Sequence, residues 1–220
     1  MARITIEGAI ASGTRKRVLK ALRDVEKREF PALLLRIDSP GGTVGDSQEI
    51  HAALLRLREK GCHVVASFGN ISASGGVYIG VAAEKIVSNP GTITGSIGVI
   101  LRGNNLSKLL ERVGIRFETV KSGAFKDILS PDRALSAEER NLLQALIDSS
   151  YAQFVEAVAT GRDLSPETGT ASPNSHQWRS KSGGTPRQTM PASPSTNPNQ
   201  PTGLIASANR LRARSATIRG

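Results

Sequence analysis

The chain has 220 residues, enough for one domain with a sizeable core, and its 38% apolar fraction with few aromatics suits an α/β interior of Ala, Val, Leu and Ile. The single cysteine, Cys62, excludes a disulfide framework and any multi-cysteine metal site. The net charge of +10 is uneven: residues 1–167 hold 22 Lys/Arg against 19 Asp/Glu, and residues 168–220 hold seven Lys/Arg with no acid, so the basic balance belongs mostly to a tail and argues against a dedicated nucleic-acid-binding domain.

Ile4-Thr5-Ile6 reads as a short strand ended by Glu7-Gly8. Thr14 is placed to cap a helix running to Glu29, with Val18, Leu22 and Val25 on one face. The nearly continuous apolar run Leu33-Leu34-Leu35-Arg36-Ile37 predicts a strand covered on both faces, followed by a sharp turn at Asp38-Ser39-Pro40-Gly41-Gly42. A second helix reaches about Lys60, with Ile50, Leu54 and Leu57 inward, and a strand follows from His63 to Phe68.

Gly69 to Ile79 then forms a glycine-flanked turn leading into a small-residue helix, and Lys85–Ser88 and Gly95–Ile100 each suggest a short strand. Asn104–Val113 has the spacing of a helix with Leu106, Leu109, Leu110 and Val113 inward, and Ile115–Val120 alternates like a half-exposed strand. Ser136-Ala137-Glu138-Glu139 is a capping box opening the longest helix, whose stripe is Leu143, Ile147, Tyr151, Phe154 and Val158. Strands alternating with helices imply an α/β fold of parallel βα units.

No segment reaches the ~18–20 apolar residues of a membrane span, and Met1-Ala2-Arg3 leads directly into the first strand without a signal-peptide core, so a cytoplasmic or peripheral membrane location is expected. From Thr168 onward the chain is rich in Ser, Thr, Pro and Asn, a composition that cannot bury enough apolar surface to offset chain entropy. The expected division is therefore a domain over 1–167 and a low-complexity, disordered basic tail over 168–220.

Ser74 is the leading candidate for chemistry. It sits in Ala73-Ser74-Gly75-Gly76, at a strand-to-helix turn that would expose its hydroxyl beside the free N–H groups of a helix start. The same glycines equally suit a turn packed tightly for steric reasons. A serine nucleophile needs a base, and none of His51, His63 and His176 stands in an obvious partner position. Lys126, in a loop between apolar Phe125 and Ile128, is the alternative, provided burial lowers its pKa. Gly41-Gly42 lies at a strand's C-terminal end, where backbone amides can approach a ligand. No phosphate loop, paired-acid motif or metal-ligand spacing is present, so neither cofactor nor metal is expected.

The motifs Arg36-Ile37-Asp38-Ser39-Pro40-Gly41-Gly42, Ala73-Ser74-Gly75-Gly76, Thr94-Gly95-Ser96-Ile97-Gly98-Val99, Lys121-Ser122-Gly123-Ala124-Phe125-Lys126-Asp127 and Ser130-Pro131 with Arg133, in that order, resemble signal peptide peptidase A, the S49 serine peptidases. Gly69-Asn70-Ile71-Ser72 and Arg102-Gly103-Asn104-Asn105 look most like the short, single-domain cyanobacterial members. The resemblance covers residues 4–167 and implies a Clp-protease/crotonase-like fold of repeated ββα and βα units with a mostly parallel sheet.

It further implies a Ser/Lys dyad, with Ser74 as nucleophile, Lys126 as general base and Ser96 orienting the lysine. Gly42 and Gly75 match the oxyanion-hole donors, with Gly41 in the same turn. The implied partners are membrane-derived peptides cut after small or apolar residues, such as remnant signal peptides, and further copies of the chain in a ring or dome, where the lysine of short members can come from the neighbouring subunit. A peripheral contact with a membrane fits this reading, and no specific nucleic acid does.

Past Glu167 the family's usual Gly-Arg-x-Tyr/Phe-Thr/Ser-Gly turn and Gly-Leu-Val-Asp segment do not follow, nor does the chain open with the membrane anchor of many relatives. The acid-free tail reads as translation in a shifted frame, a hypothesis that sequencing the coding DNA would test: an undisturbed frame with no family-like alternative would reject it. The competing functional readings are an inactive, poorly assembling remnant of the family and a binding module acting through the basic tail.

Overall fold

In a computed structural model, residues 1–164 are described; the expected basic tail at 168–220 lies outside them. The chain runs β1 (Ala2–Glu7), α1 (Ser12–Lys27), β2 (Ala32–Ser39), α2 (Val44–Glu59), β3 (His63–Ala73), α3 (Gly75–Gly80), β4 (Lys85–Val87), β5 (Ile93–Gly95), α4 (Ser107–Arg112) and α5 (Ala137–Arg162). The first four strands lie side by side in chain order, and every pairing is parallel. β5 pairs with the far end of β3. This is the α/β architecture with a mostly parallel sheet expected from the alternation of elements.

Alternation of apolar side chains decides where the core sits. Ile4 and Ile6, Leu33, Leu35 and Ile37, and Val64, Ala66 and Phe68 are buried on successive strands. They pack with Val18, Leu22 and Val25 of α1 and with Ile50, Leu54 and Leu57 of α2, the positions the helical spacing assigned. Each fully buried Leu or Ile of this set contributes roughly 1.5–3 kcal/mol of transfer free energy. β2 is not buried equally on both faces: Leu34, Arg36 and Asp38 are only half-buried. The Arg36 guanidinium accounts for part of that face, donating to Ser67 Oγ and the Phe68 carbonyl, both at 2.9 Å.

Several elements differ from the sequence pattern. α1 begins at Ser12 with Ala11 as its N-cap, and the Thr14 hydroxyl donates back to the Ala9 carbonyl at 3.1 Å. β3 does not stop at Phe68; its ladder continues to Ala73 because β5 supplies a new partner. The strand expected over 95–100 ends at Gly95, where Ser96 takes φ +53° and breaks the extended run. Residues 115–120 form no strand, since no described strand lies beside them; Phe117 is 60% exposed.

α4 is a short helix with nothing buried: Leu109 is 55% exposed and Leu110 half-buried, so the leucine face expected to turn inward stays largely in solvent. α5 does carry the capping box, with Ser136 Oγ accepting from the Glu139 amide and the Glu139 carboxylate accepting from the Ser136 amide. Its buried apolar side chains lie in the second half, where Phe154 and Val158 meet Val77 and Val81, while in its first turn only the Arg133-paired Glu139 is buried. Leu143, Ile147 and Tyr151 remain half-buried.

Candidate active site

The C-terminal ends of β2 and β3 bring two glycine turns into contact. Ser74 follows the last residue of β3 with φ +50° and ψ −120°, a left-handed conformation that side-chain-bearing residues rarely take and that costs about 1 kcal/mol or more. The surrounding structure enforces it: the Ser74 amide donates to the Gly95 carbonyl at 2.8 Å, and its own carbonyl accepts from the Tyr78 amide at 2.9 Å. A serine held this way projects from the turn rather than continuing the strand.

Glycine is required on both sides of this contact. A Cβ on Gly41, itself at φ +102°, would stand 2.7 Å from both the Gly75 nitrogen and Ser74 Cβ. A Cβ on Gly75 would stand 2.4 Å from Ser47 Oγ and 3.3 Å from the Gly42 nitrogen. The Gly42 and Gly75 amides thus adjoin, and neither donates to a backbone carbonyl among the described residues. Gly75 is the first residue of α3, so its N–H has no partner within the helix. Two free N–H groups beside a serine can hold the charge that develops on a carbonyl oxygen under attack.

The cleft containing these groups is lined by Gly42, Ser74, Gly75, Tyr78, Val99 and Phe154, among others. Tyr78 and Phe154 meet edge to face with centroids 5.0 Å apart, giving the cleft an apolar wall. Nothing in the sequence marks Ser47, Tyr78 and Phe154 for chemistry, because helix-face residues carry no motif; their roles come from the packing of α2, α3 and α5. Beneath the turn, Ser39, Ser72 and Thr94 lie across from one another on β2, β3 and β5. Ser39 Oγ accepts from the Gly41 amide at 3.1 Å and so shapes the first glycine turn.

The other expected site residues stand apart to different degrees. Ser96 is exposed but follows Gly95, whose partner in the ladder is Ala73, so it flanks the Ser74 turn one step beyond the last pair. Lys126 does not line the cleft; it is exposed, in the turn between Lys121 and Ser130. That turn is tied to its neighbours by ion pairs. Asp127 accepts from Lys121 Nζ at 2.6 Å and from Arg133 Nε at 3.0 Å, and Arg133 also reaches the Glu139 carboxylate. The Arg133 hydrogen bond holds the Asp127 carboxyl far below its usual range, with Lys121 reinforcing it. The same guanidinium brings Glu139 down to about 2.

Of the histidine candidates, neither His51 nor His63 lines the Ser74 cleft, and His176 lies outside the described residues. His51 packs edge-on against Tyr78 at 5.0 Å, in a neighbouring cleft of about 690 Å³ between α2, α3 and α5. Burial, then the nearby Arg58 charge, lowers its pKa to about 4, so it is neutral and a weak base at pH 7. His63 pairs with Glu84 at the start of β3. Among the described residues, no helix is long and apolar enough to cross a membrane.

Comparison with known proteins agrees with this architecture. A protein of Synechocystis sp. named "Putative protease" is 66% identical over 167 residues, covering 76% of this chain and 60% of that protein. One of Enterococcus faecium named "Putative signal peptide peptidase SppA" is 40% identical over 139 residues, covering 63% of this chain and 40% of that one. The chain therefore spans three fifths or less of the length of these relatives. A mutant of ClpP1 from Listeria monocytogenes superposes with a TM-score of 0.51 at 17% identity, over 77% of each chain, and shares the fold. The model of the family "Peptidase family S49" matches residues 56–185, more than half the sequence, and the chain belongs to that family.

Proposed function

We propose that this chain is a serine endopeptidase in which Ser74 is the nucleophile and Lys126 the general base. The observation that carries the reading is the strained Ser74 turn packed against two free glycine amides. In the proposed reaction, a neutral Lys126 amine takes the Ser74 hydroxyl proton as Oγ attacks the peptide carbonyl. The Gly42 and Gly75 N–H groups stabilise the tetrahedral oxyanion, with Gly41 holding the two turns in contact. The lysine ammonium then protonates the leaving amine, and the acyl-enzyme ester forms. Water, deprotonated by the same amine, releases the carboxylic acid and restores Ser74. Ser96 is assigned to orient Lys126 by accepting from its amine.

A lysine is neutral near pH 7 only when it is withdrawn from solvent. Lys126 is exposed in the isolated chain, so the proposal requires a further surface to cover its turn. We assign that surface to another copy of the chain in a ring or dome. The run of exposed apolar side chains from Ile93 to Leu146 supports this assignment. The apolar wall of Tyr78, Val99 and Phe154 supports substrates with small or apolar residues at the cleavage site, such as membrane-derived signal-peptide remnants.

The exposed position of Lys126 also favours a second reading, an inactive member of the family that does not assemble its base. The test is hydrolysis of apolar peptides by the purified full chain. Ser74→Ala and Lys126→Ala are each expected to lower kcat by at least about a hundredfold with the fold intact. Full turnover in Lys126→Ala would reject lysine as base, and no turnover in a folded, assembled wild-type chain would favour the inactive reading.

A further inference from the structure

We infer that Asp38 and Thr92 are positioning residues that set the aim of Ser74 by clamping an expansion in β3 from two sides, an inference that rests on the reading of Ser74 as nucleophile. The ladder between β2 and β3 is regular up to Ile37 opposite Phe68 and resumes at Ser39 opposite Ser72. Gly69, Asn70 and Ile71 therefore face Asp38 alone. Two extra residues keep the alternation of faces, so Phe68 and Ser72 both remain buried, where one extra residue would have reversed every later side chain.

The expansion is also where β3 changes partner. Before it, Val65–Ser67 pair with β4; after it, Ile71–Ala73 pair with β5. Ser74 follows the last of these pairs directly, and its amide is held by Gly95. The direction in which β3 leaves the expansion thus fixes the turn that carries the serine.

Side chains hold the backbone there. Asp38 Oδ1 accepts from the Ile71 amide at 3.1 Å, and Asp38 Oδ2 accepts from Asn70 Nδ2 at 3.5 Å. The carboxylate occupies the space beside Gly69: a Cβ on that glycine would come within 2.4 Å of Asp38 Cγ and Oδ2. From the other side, the buried Thr92 hydroxyl donates to the Gly69 carbonyl at 2.8 Å and accepts from the Asn89 amide at 3.2 Å. Both ends of the expansion are thereby tied, one to β2 and one to the loop entering β5. Asp38 serves as a hydrogen-bond acceptor for a backbone amide, a task that the isosteric amide of Asn can take over.

The test compares full-length wild type with Asp38→Ala, Asp38→Asn, Thr92→Val and Thr92→Ser, with Ser74→Ala as control. Two readouts are taken: the saturable rate of fluorophosphonate labelling per folded molecule, and amide hydrogen exchange at Ser74 and Tyr78. Asp38→Ala and Thr92→Val are expected to slow the maximal labelling rate by about 10–100-fold with the half-saturating probe concentration nearly unchanged. Their Ser74 and Tyr78 amides should exchange at least about tenfold faster, while Leu22 in α1 keeps its protection. Asp38→Asn and Thr92→Ser should restore both readouts to within about threefold of wild type.

Wild-type labelling and wild-type exchange at the turn in folded Asp38→Ala and Thr92→Val would overturn the inference. A loss of protection spread evenly over the domain would also overturn it, as would failure of both conservative variants to rescue. If wild type itself is not labelled, or Ser74→Ala is labelled equally, the nucleophile reading fails instead. The exchange readout then decides alone whether Asp38 and Thr92 hold the turn.

Discussion

Ser74 combines two properties that pull against each other: a strained backbone and a position in the sequence that any glycine could fill with less strain. Its φ of +50° suits glycine, yet the residue is serine. Ser74→Gly is therefore expected to raise stability by roughly 1 kcal/mol, seen as a higher Tm, while abolishing labelling and turnover. A lower Tm would show that the turn is not strained in the way its dihedrals indicate. His51 gives a second measurable effect. Its folded pKa of about 4 lies below the ordinary value of 6.5, so the unfolded chain binds the extra proton between these values. The contribution is present above pH 6.5 and is lost as pH falls toward 4, by about 2–3 kcal/mol. His51→Phe should remove that part of the slope in chemical-denaturation stability; an unchanged slope would place the titration elsewhere.

Elements whose apolar faces meet a partner among the described residues are the ones the sequence pattern places best. Val18, Leu22 and Val25, and Ile50, Leu54 and Leu57, predicted two helix faces that pack as expected. The capping box at Ser136 and Glu139 marked the start of α5 to the residue. The alternation at 115–120 and the leucine spacing at 106–113 have the same statistical form, but no described strand or helix covers them. Local pattern encodes which face would be buried; it does not encode what buries it. The expansion of β3 is hidden in the sequence for a related reason, since Gly69-Asn70 has a turn's composition and its place in the sheet rests on partners in β2 and β5 that lie far away in the chain.

At the same scale, Arg133 joins the Lys126 turn to the start of α5 through Asp127 and Glu139. Glu139 is held at about 2 against an ordinary 4.5, so its contribution is present above pH 4.5 and is lost as pH falls toward 2. Arg133→Met should shrink this acid-sensitive contribution and speed proteolytic cutting between Lys121 and Asp132. Equal cutting in variant and wild type would show that the ion pairs do not order the turn.

Over the whole molecule, the candidate site residues divide into those the described chain brings together and those it leaves apart. Ser74, Gly41, Gly42 and Gly75 meet within one chain, and short-range glycine motifs at strand ends make them legible in the sequence alone. Lys126 is equally legible as a motif, but it is exposed and does not line the cleft. The exposed apolar side chains of Ile100, Phe117 and Phe125 lie in the same stretch of sequence as Lys126, so covering them and withdrawing the lysine from water would be one event. The most direct test is fluorophosphonate labelling of the full chain across its sedimentation profile, with the modified residue identified by mass. The account predicts an adduct on Ser74 in the assembled fractions that is lost in Lys126→Ala. A folded, assembled chain that takes no label, or a Lys126→Ala chain labelled at the wild-type rate, would contradict it.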